Sequence, residues 1–306
     1  MDYELAIIGA GPAGYSAVIY AVRSGIKTVV IDKGMGGGLA SLSPKIENYP
    51  GFESISGLDL MEKMKQHASK YTDIHFGEEV KKIEKNGDKF RVITSDKTYT
   101  VKAVVLCTGT DYRKFNVPGE KELTGKGVSY CATCDGFFFK GKKVAVIGGG
   151  NSALIEAIFL KQIGCKEVFL IHRRDQLRAE QAYQNEAVAN GVKIVFNTHV
   201  ESIHGAEKVE YLQVRNVKTN QKSKIFVDGV FISVGEEPQN MLAKQLGVKL
   251  DEKGFVIVDK QQRTNIKGVY AAGDITGGLR QVITACAEGA IAALTSTEVL
   301  GKKYPY

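Results

Sequence analysis

A short apolar run, a glycine-rich turn and a helical pattern occur in that order twice in this chain. The first copy is Ala6-Ile7-Ile8-Gly9-Ala10-Gly11-Pro12-Ala13-Gly14 and the second is Ala145-Val146-Ile147-Gly148-Gly149-Gly150-Asn151-Ser152-Ala153. The helical patterns cover roughly 12–24 and 151–163, and each is followed by a second apolar strand, Thr28–Asp32 and Val168–His172. Apolar strands alternating with helices call for parallel sheets covered on both faces. Further along each half, residues 79–101 and 199–227 alternate in short β-like runs with turn residues such as Asn86-Gly87-Asp88, the pattern of a small β-meander. Each meander leads into an apolar strand closed by glycine, Val104-Val105-Leu106-Cys107-Thr108-Gly109 and Gly229-Val230-Phe231-Ile232-Ser233-Val234-Gly235. The fold class is therefore read as α/β, with two Rossmann-like domains of βαβ-plus-meander type.

The stretch 265–300 returns to the style of the first copy. Val269-Tyr270-Ala271-Ala272-Gly273-Asp274 reads as a strand ending in a glycine turn, and a long helical pattern follows to about Leu300. The first domain is accordingly read as discontinuous, 1–116 with 247–306, and the second domain, 117–246, as inserted into it. A length of 306 residues suits two such domains.

Gly9-Ala10-Gly11-Pro12-Ala13-Gly14 fits G-x-G-x-x-G between a strand and a helix. The first glycine permits the tight turn, the second lets the backbone approach a pyrophosphate, and the third lets helix and strand pack closely. Amide groups at the helix start then face the phosphates, and Asp32 at the end of the next strand can accept from ribose hydroxyls. The second strand-turn, Gly273-Asp274, suits a ribityl chain or pyrophosphate, so this domain is expected to hold FAD.

The second fingerprint, Gly148-Gly149-Gly150-Asn151-Ser152-Ala153, is G-x-G-x-x-A. Where the first copy has Asp32, this one has His172-Arg173-Arg174, with Arg178 close behind. A carboxylate here would repel a 2′-phosphate, whereas guanidinium groups bind one through paired hydrogen bonds. NADPH is therefore expected over NADH.

Just ahead of the second fingerprint lies Tyr130-Cys131-Ala132-Thr133-Cys134-Asp135-Gly136. Two cysteines at this spacing can close a small disulfide ring that stores two electrons, and Asp135 can supply a proton to a leaving thiolate. A second cysteine pair, as a structural zinc site would need, is missing, and no metal is expected. The other cysteines, Cys107, Cys165 and Cys286, sit in apolar patterns and read as small core residues. A hydrophobic fraction of 43% and a charged fraction of 25% are ordinary for a globular protein. The net charge of +7 comes without a dense Lys/Arg tract interleaved with aromatics, so no nucleic-acid role is expected. The pattern shows neither a leader segment nor an apolar run of the roughly 18 residues that span a bilayer, which places the chain in the cytoplasm with no membrane partner.

Taken together, these residues resemble the low-molecular-weight thioredoxin reductase family over nearly the whole chain, from Gly9 to about Leu300. The resemblance rests on the Gly9–Gly14 turn, Glu47-Asn48-Tyr49-Pro50-Gly51, the Cys131–Gly136 run, His172-Arg173-Arg174-Asp175-Gln176-Leu177-Arg178, Ala271-Ala272-Gly273-Asp274 and Arg280-Gln281. It implies a homodimer in which electrons pass from NADPH through FAD to the Cys131–Cys134 disulfide and on to a thioredoxin-like protein. It further implies that Cys134 is the cysteine near the flavin, Cys131 the thiol that attacks the partner, and Asp135 the general acid. FAD contacts are implied for Lys33, Gly37, Gly38, Leu39, Asn48, Val80, Thr108, Gly109, Arg280, Gln281 and Val282. NADPH contacts are implied for Asn151, Ser152, Ala153 and Gly235. This chain departs from the family at Gly38, where a glutamine is common, and in a loop near Pro44 that is about one residue longer. The loop Met35-Gly36-Gly37-Gly38 is therefore expected to be mobile. Rival readings keep the relay but change an end of it: a glutaredoxin-like or peroxidase partner, a deazaflavin or ferredoxin donor, or a dithiol oxidase.

Overall fold

The computed structural model describes residues 3–43 and 46–303; Pro44 lies outside them. Its α-helices are α1 (Pro12–Arg23), α2 (Gly57–Ala68), α3 (Ala132–Asp135), α4 (Asn151–Gln162), α5 (Gln181–Ala189), α6 (Met241–Gln245) and α7 (Val282–Leu300). The chain forms two compact units, one of residues up to Asp111 together with those from Glu237 onward, the other Tyr112–Glu236.

The first unit is built on a five-stranded parallel sheet in the order Val269–Ala271, Ala103–Leu106, Leu5–Ile8, Thr28–Asp32, Ile74–Phe76. The central strands Leu5–Ile8 and Ala103–Leu106 are apolar without interruption because both faces are buried. Leu5, Ile7, Val30, Val105 and Tyr270 face α1 and α7, whereas Ala6, Ile8, Val29, Ile31, Val104 and Leu106 face a three-stranded antiparallel meander. That meander comprises Val80–Asn86, Lys89–Thr94 and Thr98–Val101 and offers Val80, Ile83, Phe90, Val92 and Tyr99 in return. The period of two along each strand thus sorts residues between a helical layer and a meander layer.

The second unit repeats the plan. Its parallel sheet runs Lys193–Val195, Glu167–Ile171, Lys143–Gly148, Gly229–Ser233, Val128–Ser129. Val144, Val146, Val168, Leu170 and Phe231 face α4, and Ala145, Ile147, Ile171, Val230 and Ile232 face the meander of Thr198–His204, Tyr211–Asn216 and Lys222–Phe226. In both units the edge strand beside the meander-derived strand comes from outside the βαβ run. Unit one takes it from the end of the chain, Val269–Ala271, and unit two from its own beginning, Val128–Ser129.

The units divide near 111/112 and 236/237, whereas the sequence pattern put the crossings at 116/117 and 246/247. Phe115 and Val117 pack against the meander-side core of the second unit, and Leu242 and Ala243 of α6 pack into the first. One element also departs from the membrane reading. Helix α7, at 19 residues, has the length and composition of a membrane-crossing helix. It packs one face into the first unit: Ala285, Ala292, Ala293 and Leu300 are buried, and a Cβ on Gly289 would overlap the Ala13 carbonyl of α1. Such close backbone contact explains the run of small residues along it.

Candidate active site

Gly9–Gly14, Asp32, Thr108-Gly109 and Gly273-Asp274 in the first unit, and Gly148–Ala153, His172, Gly235 and Cys131 in the second, lie at or just after the carboxyl ends of parallel strands, where open α/β sheets bind ligands. In the first unit, Gly9 sits at φ +108°, and a Cβ there would overlap the Cys107 carbonyl oxygen. A Cβ on Gly14 would overlap the carbonyl of Gly9. Gly11, by contrast, faces open space with no atom within 4 Å of where a Cβ would be, and it caps α1 with extended backbone and Pro12 in the first turn. Asp32 accepts from Ala10 N–H (2.7 Å) and Gly34 N–H (2.8 Å), so it braces the turn, and each oxygen keeps a lone pair for another donor.

The glycine run at 36–38 is tied down rather than loose. Gly37 N–H donates to the Ala10 carbonyl (2.7 Å), and a Cβ on Gly36 would overlap the buried Tyr15 hydroxyl. All three glycines have positive φ, so they form a folded turn, and a Cβ on Gly38 would lie 3.8 Å from Gly11 Cα. Leu39 follows in the 3-10 turn Gly38–Leu42. The Asn48 amide donates to the Gln281 side chain (3.0 Å), which joins two distant motifs at the start of α7, and Val282 is the first residue of that helix. Thr108 donates to the Gln239 carbonyl (2.8 Å), and Lys33 reaches the Gln239 side chain. Gly109 is open, whereas Val80 is buried with its side chain in the core. Arg280 adopts φ +42°, a left-handed conformation for a non-glycine residue, and its guanidinium lies over the Phe255 ring. Such backbone strain clusters at ligand clamps.

In the second unit, a Cβ on Gly148 would overlap Ser233 and Ala153, and one on Gly149 would overlap the His172 ring. Gly150 and Gly235 are open. His172 is buried, Nδ1 lies 2.9 Å from the Gly148 carbonyl, and Nε2 has no partner among the described residues. Burial holds this imidazole below its ordinary pKa, aided by the arginines, so the neutral ring donates from Nδ1 and leaves Nε2 as an acceptor. Arg173, Arg174 and Arg178 are exposed, and no carboxylate among the described residues pairs with them. Asp175 between them is held by Lys218 (3.0 Å). Asn151 exchanges two hydrogen bonds with Glu180 across the turn, and Ser152 and Ala153 follow in α4.

Cys131 and Cys134 form a disulfide with 5.3 Å between their Cα atoms. Cys131 caps the four-residue α3, and Cys134 N–H points at Cys131 Sγ (3.2 Å). The remaining thiols differ in kind. Burial raises Cys107 far above the usual thiol pKa and pushes Cys165 and Cys286 up to about 11, so these three are inert as nucleophiles at neutral pH.

Three positions escaped the sequence reading. Ser129 donates to Asp135 (2.6 Å) and accepts from Cys131 N–H (3.1 Å). Glu120, buried, accepts from the backbone of Phe115, Asn116 and Val117 and from the Tyr130 hydroxyl (2.7 Å), which fixes the residue before Cys131. Glu288 on α7 accepts from Gly273 N–H (2.7 Å) and Thr276 (3.2 Å), which pins the turn that carries Asp274, and burial raises its pKa. The one acid within the apolar stretch Val282–Leu294 was the visible signal for Glu288.

The family model described as pyridine nucleotide-disulphide oxidoreductase matches residues 3–289. The thioredoxin reductase of Bacillus subtilis is 41% identical over 295 residues, covering 95% of this chain and 92% of that protein. A Clostridium pasteurianum protein described as a 34.2 kDa protein in the rubredoxin operon is 39% identical over 303 residues, covering 98% of both. Among solved structures, the thioredoxin reductase of Streptococcus pyogenes MGAS5005 is 42% identical and superposes with a TM-score of 0.93, covering 98% of each chain. The duplicated sheet, the two glycine turns and the Cys131–Cys134 disulfide agree with these matches. The chain belongs to the pyridine nucleotide-disulphide oxidoreductases and, within them, to the low-molecular-weight thioredoxin reductase family, whose members use FAD and NADPH.

Proposed function

We propose that this chain is an NADPH-dependent thioredoxin-disulfide reductase. In this reading the unit of residues up to Asp111 and from Glu237 onward holds FAD, and the unit Tyr112–Glu236 holds NADPH and carries the reactive disulfide. The observation that carries it is the pairing of two open glycine turns of opposite local charge with a disulfide at the sheet edge of the second unit. Open space over Gly11 and Gly150 supports phosphate binding at each turn. Asp32 suits ribose hydroxyls, whereas three arginines with no carboxylate partner among the described residues suit a 2′-phosphate, and the acceptor Nε2 of His172 suits a ribose hydroxyl.

Bound NADPH and FAD supply the two electrons that open the Cys131–Cys134 bond. The Gly9–Gly14 turn, the Gly37-Gly38-Leu39 turn, the Asn48–Gln281 pair and the Gly273-Asp274 turn hold FAD, with Arg280 and Thr108 beside them. Once reduced, Cys131 as thiolate attacks one sulfur of the partner's disulfide, and that S–S bond breaks to release a partner thiolate, which takes a proton. Cys134 then attacks Cys131 Sγ, which re-forms the internal bond and frees the second partner thiolate. Asp135 is the acid that passes the proton. The Cys134 N–H that points at Cys131 Sγ stabilises charge on that sulfur. A homodimer in the cytoplasm, with no nucleic acid or membrane partner, completes the reading.

An anaerobic titration of the holoenzyme tests it. NADPH is expected to bleach the flavin at far lower concentration than NADH, and oxidised thioredoxin to restore the colour. Bleaching without recovery moves the partner to a glutaredoxin-like or peroxidase protein. Absence of bleaching by either nucleotide points to a deazaflavin or ferredoxin donor and removes the role given to the arginines.

A further inference from the structure

We propose that Ser129 is a positioning residue for the disulfide step and acts through Asp135. The proposal rests on the reading of Cys131–Cys134 as the reactive pair and of Asp135 as its acid. Ser129 ends the edge strand of the second sheet, 5% exposed, and its backbone is held opposite Phe231 in parallel register. Its neighbour Val128 is buried in the core. The hydroxyl is thus placed by the sheet rather than by the dithiol loop.

Three contacts converge on this oxygen. It donates to Asp135 Oδ2 at 2.6 Å, accepts from Cys131 N–H at 3.1 Å, and lies 3.3 Å from the Cys131 carbonyl. A hydroxyl has one hydrogen and two lone pairs. With Asp135 ionised, the hydrogen goes to the carboxylate, the shorter and charge-assisted contact. With Asp135 protonated, the carboxyl O–H donates to the serine oxygen, and the serine hydrogen turns to the Cys131 carbonyl. The same residue therefore holds the carboxyl group in both protonation states and keeps it in register with the backbone of Cys131 as a proton leaves for the departing thiolate. No bond to Ser129 forms or breaks.

The test uses the flavin-loaded enzyme and four variants: Ser129→Ala, Ser129→Thr, Asp135→Asn and the Ser129→Ala/Asp135→Asn double. Ser129→Ala is expected to keep flavin content and bleaching by NADPH, to lower kcat for thioredoxin reduction by about tenfold, the worth of one charge-assisted bond, and to leave KM for thioredoxin unchanged. Ser129→Thr, which keeps the hydroxyl, is expected to recover most of that kcat. In the Asp135→Asn background Ser129→Ala is expected to add nothing. Wild-type kcat in Ser129→Ala beside an impaired Asp135→Asn overturns this inference alone. Additive losses overturn the route through Asp135. Wild-type turnover in Asp135→Asn overturns the underlying reading of that residue as the acid.

Discussion

The two units share one plan, yet each fills the same sheet position differently. In the first, the edge strand Val269–Ala271 runs into the Gly273-Asp274 turn, which α7 pins through Glu288. In the second, the corresponding edge strand Val128–Ser129 runs into Cys131, Cys134 and Asp135. A passive turn in one copy is thus a reactive pair in the other. The neighbouring strand ends diverge in the same manner: Asp32 braces its own turn in the first unit, and His172 with three arginines takes that place in the second. A duplicated scaffold leaves the strands to keep the fold and the strand ends to carry the chemistry.

The comparison breaks hardest at the edge strand. Cys131→Ser is expected to take electrons into the flavin normally and to lose thioredoxin reduction by at least on the order of 10³-fold; rapid-mixing spectra read both steps, and full turnover by this variant would end the dithiol assignment. Next come the glycines of the first turn. Gly9→Ala, at φ +108° and against the Cys107 carbonyl, should cost about 1–3 kcal/mol from backbone strain alone, visible as a lower Tm of the flavin-free protein. Gly11→Ala, which meets no atom, should keep that Tm and release flavin more readily. Arg174→Ala with Arg178→Ala should narrow the NADPH/NADH gap in kcat/KM by about 2–3 kcal/mol, one charge-assisted bond each, and an unchanged gap would erase the charge contrast between the units.

The smallest effect concerns Glu288. Its folded pKa is raised, so between the ordinary carboxylate range and the raised value the folded state holds more protons than the unfolded one. Stability from this group therefore falls as pH rises through that window. Glu288→Gln keeps an acceptor for Gly273 N–H and should flatten this slope in denaturation curves recorded between acid and neutral pH.

Much of this was legible because apolar strands, glycine turns and meanders have local signatures. The helices at 12 and 151 and the strand Thr28–Asp32 lie where their periodicity put them. The two-residue strand Val128–Ser129 was not legible, since nothing local marks so short an edge and only its pairing with Gly229–Ser233 makes it a strand. Ser129 stayed hidden for that reason, and Glu120 because its partners are three backbone amides and the Tyr130 hydroxyl rather than a motif. The turn at 36–38 looked loose because three glycines are flexible in isolation; Tyr15 and Ala10, distant in sequence from the run, lock it.

Glu288 also bears on how α7 divides between water and lipid. Six large aliphatic residues of α7 (Val282, Ile283, Ile291, Leu294, Val299 and Leu300) would favour lateral entry into a bilayer by about 2–4 kcal/mol together, and two acids oppose it, Glu298 near the end and Glu288 near the middle, where one acidic side chain costs about 3 kcal/mol. The acids offset the aliphatics, so the carboxylate that fixes a turn in the fold also lowers the tendency of this helix to partition into lipid.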